Sequence, residues 1–392
     1  MSSATNSAPN KSILLLAGEG GLQGGTERQF RTLHQLLTEK GIPSIYVTIF
    51  PEKTLLARDG GPSRGTQISL FQIKRSSRLG RLMQYASAPA ALRSLLQSYE
   101  PTSVFSAAPQ TNLLSWWAAG RKYRSQLTWG ARTSRAFSTM ANQLPFRVGA
   151  RVSRMIPALI SNSEAGVDFY RQSGYRPQKW ELIPNVIDTD TFAPREAGSV
   201  RIRKDLGIPD GAPLIGIVAR LNPIKDHETF LRAAAQVGAV REAAHFVIVG
   251  SGDPQRLATL QRLASALGIQ DKTQWLGARD DIPEIISAMD ILTLTSRAEG
   301  FPNVIAEALA CGTPCVSTDV GSAREILGPE FNPPAPGDHT GIANEILSAL
   351  NTEGHDSQDL RSSIVRRYSA EAVLPRLLAA LRFDSTTRLS RE

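Results

Sequence analysis

Short apolar runs alternate with helix-patterned segments along most of the chain, and that alternation restricts it to an α/β fold built on doubly wound parallel sheets. Ser12 to Ala17 (S-I-L-L-L-A) reads as a buried first strand, and Thr26 to Lys40 follows with Phe30, Leu33, Leu36 and Leu37 on one helical face. Ile45 to Phe50, Gln67 to Phe71, a helix over Leu79 to Tyr99, Ser103 to Ser106, a helix holding Trp116 and Trp117, Leu127 to Ser134 and Ala158 to Asn162 continue the series. It restarts at Leu214 to Val218, after the polar stretch Pro194 to Ser199. With 392 residues there is enough chain for two full cores. Two Rossmann-like domains are therefore expected, 1–195 and 196–365, with a helical segment over 366–392.

Open α/β sheets bind ligands at the carboxyl ends of their strands, and several stretches there carry suitable chemistry. Ile291 to Thr295 reads as a strand, followed by E-G-F-P-N-V-I-A-E-A-L-A-C-G-T-P-C-V-S from Glu299 to Ser317. Gly300, Phe301 and Pro302 form a tight turn, Asn303 is expected to cap a helix over Val304 to Ala310, and Gly312 ends it. Backbone amides at Asn303 and Val304 suit a phosphate, while carboxylates at Glu299 and Glu307 suit sugar or ribose hydroxyls. The plainer reading is a capped helix with solvated acids. Earlier, A-R-L-N-P-I-K-D places Arg220 and Lys225 in the loop after Leu214 to Val218, where two cations can hold a diphosphate without a metal; an ordinary basic loop is the alternative. Gly24 and Gly25 close a glycine-rich loop before the first helix, where backbone can approach an anion. Gly250 and Gly252 are secondary candidates, Arg132 stands just beyond a strand end, and Asp280 and Asp281, beside Arg279, suit a helix start.

The Glu299 to Ser317 stretch resembles the signature of the retaining family 4 glycosyltransferases, which have the two-domain GT-B fold, and further matches from Gly24 to Glu325 extend the resemblance over most of the chain. Pro302 stands where many members have glycine. The resemblance implies two Rossmann-like domains facing across a cleft, the first binding acceptor and the second the nucleotide sugar, with the last helix packing back on the first. It implies transfer of a hexose or N-acetylhexosamine from a nucleotide diphosphate donor, UDP favoured over GDP, with retention and with neither metal nor resident cofactor. By the same resemblance Glu299 contacts the donor sugar and Glu307 the ribose, Arg220 and Lys225 stabilise the diphosphate, and Arg279 lies in the nucleobase pocket. Gly300, Phe301, Asn303 and Val304 belong to the donor-binding turn, and Gly24 and Gly25 lie near the donor phosphates and the acceptor. Arg132, in W-G-A-R, neutralises a phosphate or orients the acceptor, a glycan or a polyprenyl-diphosphate-linked sugar as in surface-polysaccharide assembly.

Composition narrows the remaining possibilities. No apolar run reaches the ~18 residues that cross a bilayer, and Met1 to Asn10 lacks the pattern of a secretory signal, so a cytoplasmic protein is expected. Cys311 and Cys315 bracket a turn with no second ligand pair and read as core residues. The net charge of +8 is uneven: residues 1–192 carry 23 basic against 11 acidic side chains, and 193–392 carry 21 against 25. Lys74, Arg75, Arg78 and Arg81 form one basic cluster, and Arg147, Arg151 and Arg154 another at helical spacing beside Phe146, Val148 and Val152. These suit an anionic inner membrane face; a solvated basic face is the alternative, and without interleaved aromatics nucleic acid is not expected. A nucleotide-sugar epimerase or a phosphorylase of the same fold, and a noncatalytic sugar-nucleotide-binding subunit, remain rivals. An NAD enzyme is disfavoured because the first loop lacks G-x-G-x-x-G with a following acid.

Overall fold

The computed structural model describes residues 11–18, 25–50, 66–71, 77–134, 140–328, 330–352 and 356–383. The chain divides into two compact units, Met1–Val186 with Val373–Glu392, and Ile187–Ala372. Among the described residues no helix is long and apolar enough to cross a membrane.

The first unit contains β1 (Ile13–Leu16), α1 (Gly25–Glu39), β2 (Ser44–Thr48), β3 (Thr66–Ser69), α2 (Arg78–Tyr99), β4 (Ser103–Ser106) and α3 (Pro109–Ala119). After these come β5 (Leu127–Ala131), α4 (Met140–Val152), β6 (Ala158–Ser161), α5 (Glu164–Gln172) and β7 (Lys179–Leu182). Its strands form one parallel sheet in the order β3-β2-β1-β4-β5-β6-β7. β1, β2, β4, β5 and β6 are buried throughout, as continuous apolar strands covered on both faces must be. The apolar face of α1 closes one side: Phe30, Leu33, Leu36 and Leu37 are buried, with Phe30 stacked 4.9 Å from Phe105 of β4.

The second unit holds α6 (Glu196–Asp205), β8 (Leu214–Val218), α7 (His227–Val240), β9 (His245–Val249), α8 (Pro254–Ala266), β10 (Thr273–Gly277) and α9 (Ile282–Ala288). It continues with β11 (Ile291–Leu294), α10 (Asn303–Ala310), β12 (Cys315–Ser317), α11 (Ala323–Leu327), α12 (His339–Asn351) and α13 (Ser357–Tyr368). Its parallel sheet runs β10-β9-β8-β11-β12.

The first crossing falls ahead of residue 195 for a physical reason. Ile187 and Phe192 are buried in the core of the second unit. The Ile187 amide donates to the Tyr368 carbonyl at 2.8 Å, and the Arg361 guanidinium donates to the carbonyls of Thr189, Phe192 and Ala310 at 2.8 to 2.9 Å. Asp188 and Asp190 make a local turn there, with Asp188 Oδ1 accepting from the amides of Asp190 and Thr191. The final helix, α14 (Ala370–Ala380), joins the first unit from Val373 onward. Arg376 and Arg382 tie this C-terminal segment down by donating to the carbonyls of Leu182 and Ser125.

Candidate functional site

In the second sheet the strand order reverses between β8 and β11, which are hydrogen-bonded neighbours. Loops leaving the carboxyl ends of such a pair turn away from one another, which makes this the expected ligand site of an open α/β sheet. The β8 loop carries Arg220 and Lys225, and the β11 loop carries Glu299 and Gly300.

Local interactions shape the β8 loop before any ligand arrives. Ala219 and Leu221 continue the pairing beyond β8, donating to the carbonyls of Val249 and Ser251 at 2.9 Å. Gly250 sits at φ +137°, where an added Cβ would lie 2.0 Å from the Ala219 carbonyl oxygen, so only glycine fits. An added Cβ at Gly252 would come within 2.6 Å of Leu221. The loop's own packing thus accounts for both secondary glycine candidates. Asn222 Oδ1 accepts from the amides of Ile224 and Lys225 at 3.0 and 3.3 Å, winding Pro223–Lys225 into a 3-10 turn that presents the lysine. Asp226 follows in the left-handed region at φ +46°. Its buried carboxylate accepts from Thr229 Oγ1 at 2.9 Å and pairs with Arg297 Nε at 2.9 Å. Thr295 Oγ1 lies 3.0 Å from the carbonyls of both Lys225 and Asp226, and the Arg297 amide donates to the Ile224 carbonyl at 2.7 Å. Together these bonds stitch the two loops into one wall.

Across that wall Lys225 Nζ donates to Glu299 Oε1 at 2.5 Å, and Ser296 Oγ donates to the same oxygen at 2.7 Å. The lysine and glutamate side chains are 24% and 15% exposed, so the pair is partly shielded from water yet reachable. Arg220 is exposed, and among the described residues its guanidinium has no partner. The site therefore holds one neutralised cation and one open cation beside a carboxylate.

The turn after Glu299 rests on the segment Asp319 to Glu325. Gly321, at φ +54°, approaches so closely that an added Cβ would come within 2.2 Å of the Gly300 oxygen, which also accepts from the Ser322 amide at 3.0 Å. One expectation is corrected here. Asn303 is the first residue of α10, and the preceding cap position belongs to Pro302, which has no side chain able to cap. The Phe301 side chain is buried in the core, its ring edge-on to Tyr368 at 5.3 Å, because the tight turn directs the largest apolar group inward; only its backbone is left for a ligand. Asn303 and Val304 form the first turn of α10, whose amides give it a positive end. One turn along, Glu307 is 5% exposed, a carboxylate withdrawn from bulk water. Arg361, donating to Ala310 at the far end of α10, complements the helix dipole there.

Arg279 stands apart. After β10, at the sheet edge, it donates to both carboxylate oxygens of Asp281 at 2.8 and 2.6 Å, which holds the Asp281 carboxyl below its ordinary range. Asp281 occupies the position before α9 but makes no capping bond, since the guanidinium takes its carboxylate; this too departs from expectation. Among the described residues no hydrogen bond or ion pair joins Arg279 to the Lys225–Glu299 cluster.

Behind the β8 loop, His227 is fully buried, and burial, reinforced by the nearby Arg256 guanidinium, pushes its imidazole down to about 4. Between pH 6.5 and 4 the unfolded chain binds a proton that the folded chain refuses, so stability falls as pH drops through that window. The shift from 6.5 to about 4 corresponds to roughly 3 kcal/mol. Thermal unfolding of wild type against His227→Gln at pH 7 and pH 4 should show the smaller acid loss in the variant; equal losses would exclude His227 as the cause.

In the first unit Gly25 opens α1, exposed, and an added Cβ would meet nothing within 4 Å, so the fold itself does not demand glycine there. Gly24 lies outside the described residues. Arg132, just past β5, is half-buried: Nη1 donates to Asn185 Oδ1 at 2.6 Å, and its plane lies 5.5 Å from the Phe105 ring. Burial lowers its pKa to about 10. In the second basic cluster Arg147 and Arg151 are exposed on α4, but Arg154, also exposed, belongs to the 3-10 turn Ser153–Met155. The three do not share one α-helical face, because the helix tightens after Val152. Lys74 and Arg75 lie outside the described residues, as do the side chains of Arg78 and Arg81. Cys311 and Cys315 are free thiols, and burial raises both, Cys311 to about 12.

Sequence reasoning passed over Ser296, Asn222, Asp226 and Gly321. Asn222 carried a readable signal, a cap residue followed by proline. The other three acquire their roles only from the neighbouring loop.

Residues 199–366 match the family model for glycosyl transferases group 1, and residues 23–191 match that for glycosyltransferase family 4. Among curated relatives, the D-inositol 3-phosphate glycosyltransferase of Stackebrandtia nassauensis is 32% identical over 227 residues, covering 56% of this chain and 46% of the relative. The N-acetyl-alpha-D-glucosaminyl L-malate synthase of Bacillus anthracis is 25% identical over 199 residues, 50% and 51% of the two chains. The matches thus span about half the length of these curated relatives. Among solved structures, Anabaena HepE in complex with UDP-glucose superposes with a TM-score of 0.78 at 21% identity, over 94% of this chain and 99% of that one. The sucrose-phosphate synthase of Thermosynechococcus elongatus gives 0.79 at 19% identity, over 95% and 98%.

Proposed function

From a chain that belongs to the group 1 and family 4 glycosyltransferases and has their GT-B pair of Rossmann-like domains, we infer a retaining transferase that moves a hexose or N-acetylhexosamine from a nucleotide diphosphate sugar to a glycan or lipid-linked acceptor. One observation carries the reading: two loops at the strand-order reversal of the second unit bring Arg220, Lys225, Glu299 and the start of α10 to one place. Arg220 and Lys225, with the first amides of α10, neutralise the donor diphosphate. Glu299 accepts from hydroxyls of the sugar, Glu307 from those of the ribose, and Arg279 borders the base. As the bond from the anomeric carbon to the β-phosphate oxygen breaks, the acceptor oxygen bonds that carbon from the same face, and its proton passes to the departing phosphate. The open Arg220 cation and the first amides of α10, with Lys225 shared between Glu299 and the diphosphate, offset the developing charge, so this reading calls for no metal. UDP is the favoured nucleotide, a choice supported by the UDP-glucose complex of HepE.

A thermal-shift screen of UDP, GDP and ADP sugars tests donor binding, because a ligand that binds only the folded chain raises its melting temperature. Nucleotide diphosphate release that requires acceptor, survives excess EDTA and keeps the anomeric configuration is the expected result. Conversion of the nucleotide sugar without acceptor would favour an epimerase, and activity lost in EDTA but restored by manganese would overturn metal independence.

The same reading proposes a cytoplasmic protein at the inner membrane face, in surface-polysaccharide assembly, with the exposed Arg147 and Arg151 of α4 and Arg154 of the turn after it contributing about 1 kcal/mol each toward anionic lipid. Sedimentation with anionic liposomes at low salt should exceed that with neutral ones, and should fall when all three are changed to Glu. Equal pelleting with both lipids removes the docking face.

A further inference from the structure

Ser296 stands just beyond β11 with its side chain fully buried, and the backbone around it is fixed from both neighbouring loops. On one side Thr318, which follows β12, donates through Oγ1 to the Ser296 carbonyl at 2.7 Å and through its amide to the Leu294 carbonyl at 2.9 Å. On the other, Thr295 Oγ1 ties the preceding residue to the Lys225 and Asp226 carbonyls of the β8 loop. From this anchored position Ser296 Oγ donates to Glu299 Oε1 at 2.7 Å. Lys225 Nζ reaches the same oxygen from the β8 loop, at the end of a flexible four-carbon stem. The two donors contribute different things to that carboxylate. Lysine brings charge, whereas the serine hydroxyl, close to a fixed backbone and with little rotamer freedom to lose, brings direction.

We propose that Ser296 is a positioning residue for selection of the donor sugar: its hydroxyl holds the Glu299 carboxylate in the orientation from which it accepts from a hydroxyl of the nucleotide sugar. The proposal rests on the assignment of Glu299 to that sugar. Fixing the carboxylate beforehand removes the cost of ordering it when the sugar arrives, and it makes the match between carboxylate and sugar hydroxyl selective. Ser296 acts only through Glu299, so the bare nucleotide binds equally well without it.

The test is calorimetric titration of the full chain with UDP-glucose, UDP-N-acetylglucosamine and GDP-glucose, each set against its bare nucleotide, UDP or GDP, as a ratio of affinities. Ser296→Ala should shift that ratio roughly tenfold against the nucleotide sugar, the loss expected for one charge-assisted hydrogen bond, while affinity for the bare nucleotide keeps its wild-type value. Ser296→Thr retains the hydroxyl and should retain the ratio. In a Glu299→Ala background Ser296→Ala should add nothing, because the group it positions is gone. An unchanged ratio in Ser296→Ala, an equal loss of bare-nucleotide affinity, the same shift in Ser296→Thr, or the same shift with and without Glu299 overturns the positioning role and leaves the serine a purely structural part of the loop. A ratio untouched by Glu299→Ala, or no binding of any of these nucleotide sugars to the wild type, would instead overturn the donor-sugar assignment and the proposal with it.

Discussion

Arg220→Ala is expected to reduce transfer by roughly a hundredfold or more while leaving the fold intact, because it removes the cation proposed to face the leaving diphosphate when charge builds there. The side chain is exposed, and among the described residues its guanidinium has no partner, so truncation leaves nothing unsatisfied. Its effect on stability should stay within about 0.5 kcal/mol, the usual range for such surface positions. Glu307→Ala should act differently. That carboxylate is 5% exposed, and removing it deletes the proposed ribose acceptor, so calorimetry should register weaker binding of bare UDP by about 1.5 to 3 kcal/mol. Unchanged UDP affinity in Glu307→Ala would rule out the ribose assignment, and undiminished transfer in Arg220→Ala would rule out the leaving-group role.

A second large effect is expected from the Lys225–Glu299 pair, and its sign depends on which partner is lost. Lys225→Ala should lower both UDP affinity and turnover, since it removes a proposed diphosphate cation and the observed ion-pair partner of Glu299. Glu299→Ala should cut turnover about a hundredfold yet leave UDP binding near wild type, because the nucleotide lacks the sugar that Glu299 is proposed to address and the freed ammonium still attracts phosphate. Contact at 2.5 Å makes the two changes non-additive, with a coupling of about 0.5 to 3 kcal/mol in a double-mutant cycle on kcat/KM. Strict additivity would mean that the pair separates before chemistry and never acts as a unit. Loss of UDP binding in Glu299→Ala equal to its loss of turnover would move that residue from the sugar to the nucleotide.

Sequence alone determined the elements and the chemistry available at their ends. Buried runs such as Ile13–Leu16 and Leu214–Val218 are so apolar that only interior strands suit them, and helix faces such as Phe30, Leu33 and Leu37 carry their own periodicity. Arg220, Lys225, Glu299 and Glu307 stand out as charged residues beside turn residues at strand ends, but local pattern alone leaves a basic loop and a capped helix as alternatives, and their proposed roles come from the family resemblance. Pairing was decided by the tertiary structure, and the reason is strand order. Lys225 and Glu299 are 74 positions apart and meet only because β8 and β11 are adjacent. The same adjacency buries the Asp226 carboxylate against Arg297, and the pairing of β11 with β12 sets Gly321 against Gly300. Phe301 illustrates the limit within a single turn: the signature positions its backbone, but only the packing around Tyr368 shows that its ring turns inward. Arg132 illustrates it across a sheet. Its neutral partner, Asn185, comes from beyond β7, two strands away, and no local pattern records that a neutral amide rather than an acid would arrive there. A residue's identity reports its own preference for burial or charge; which group meets it follows from the order in which the strands assemble.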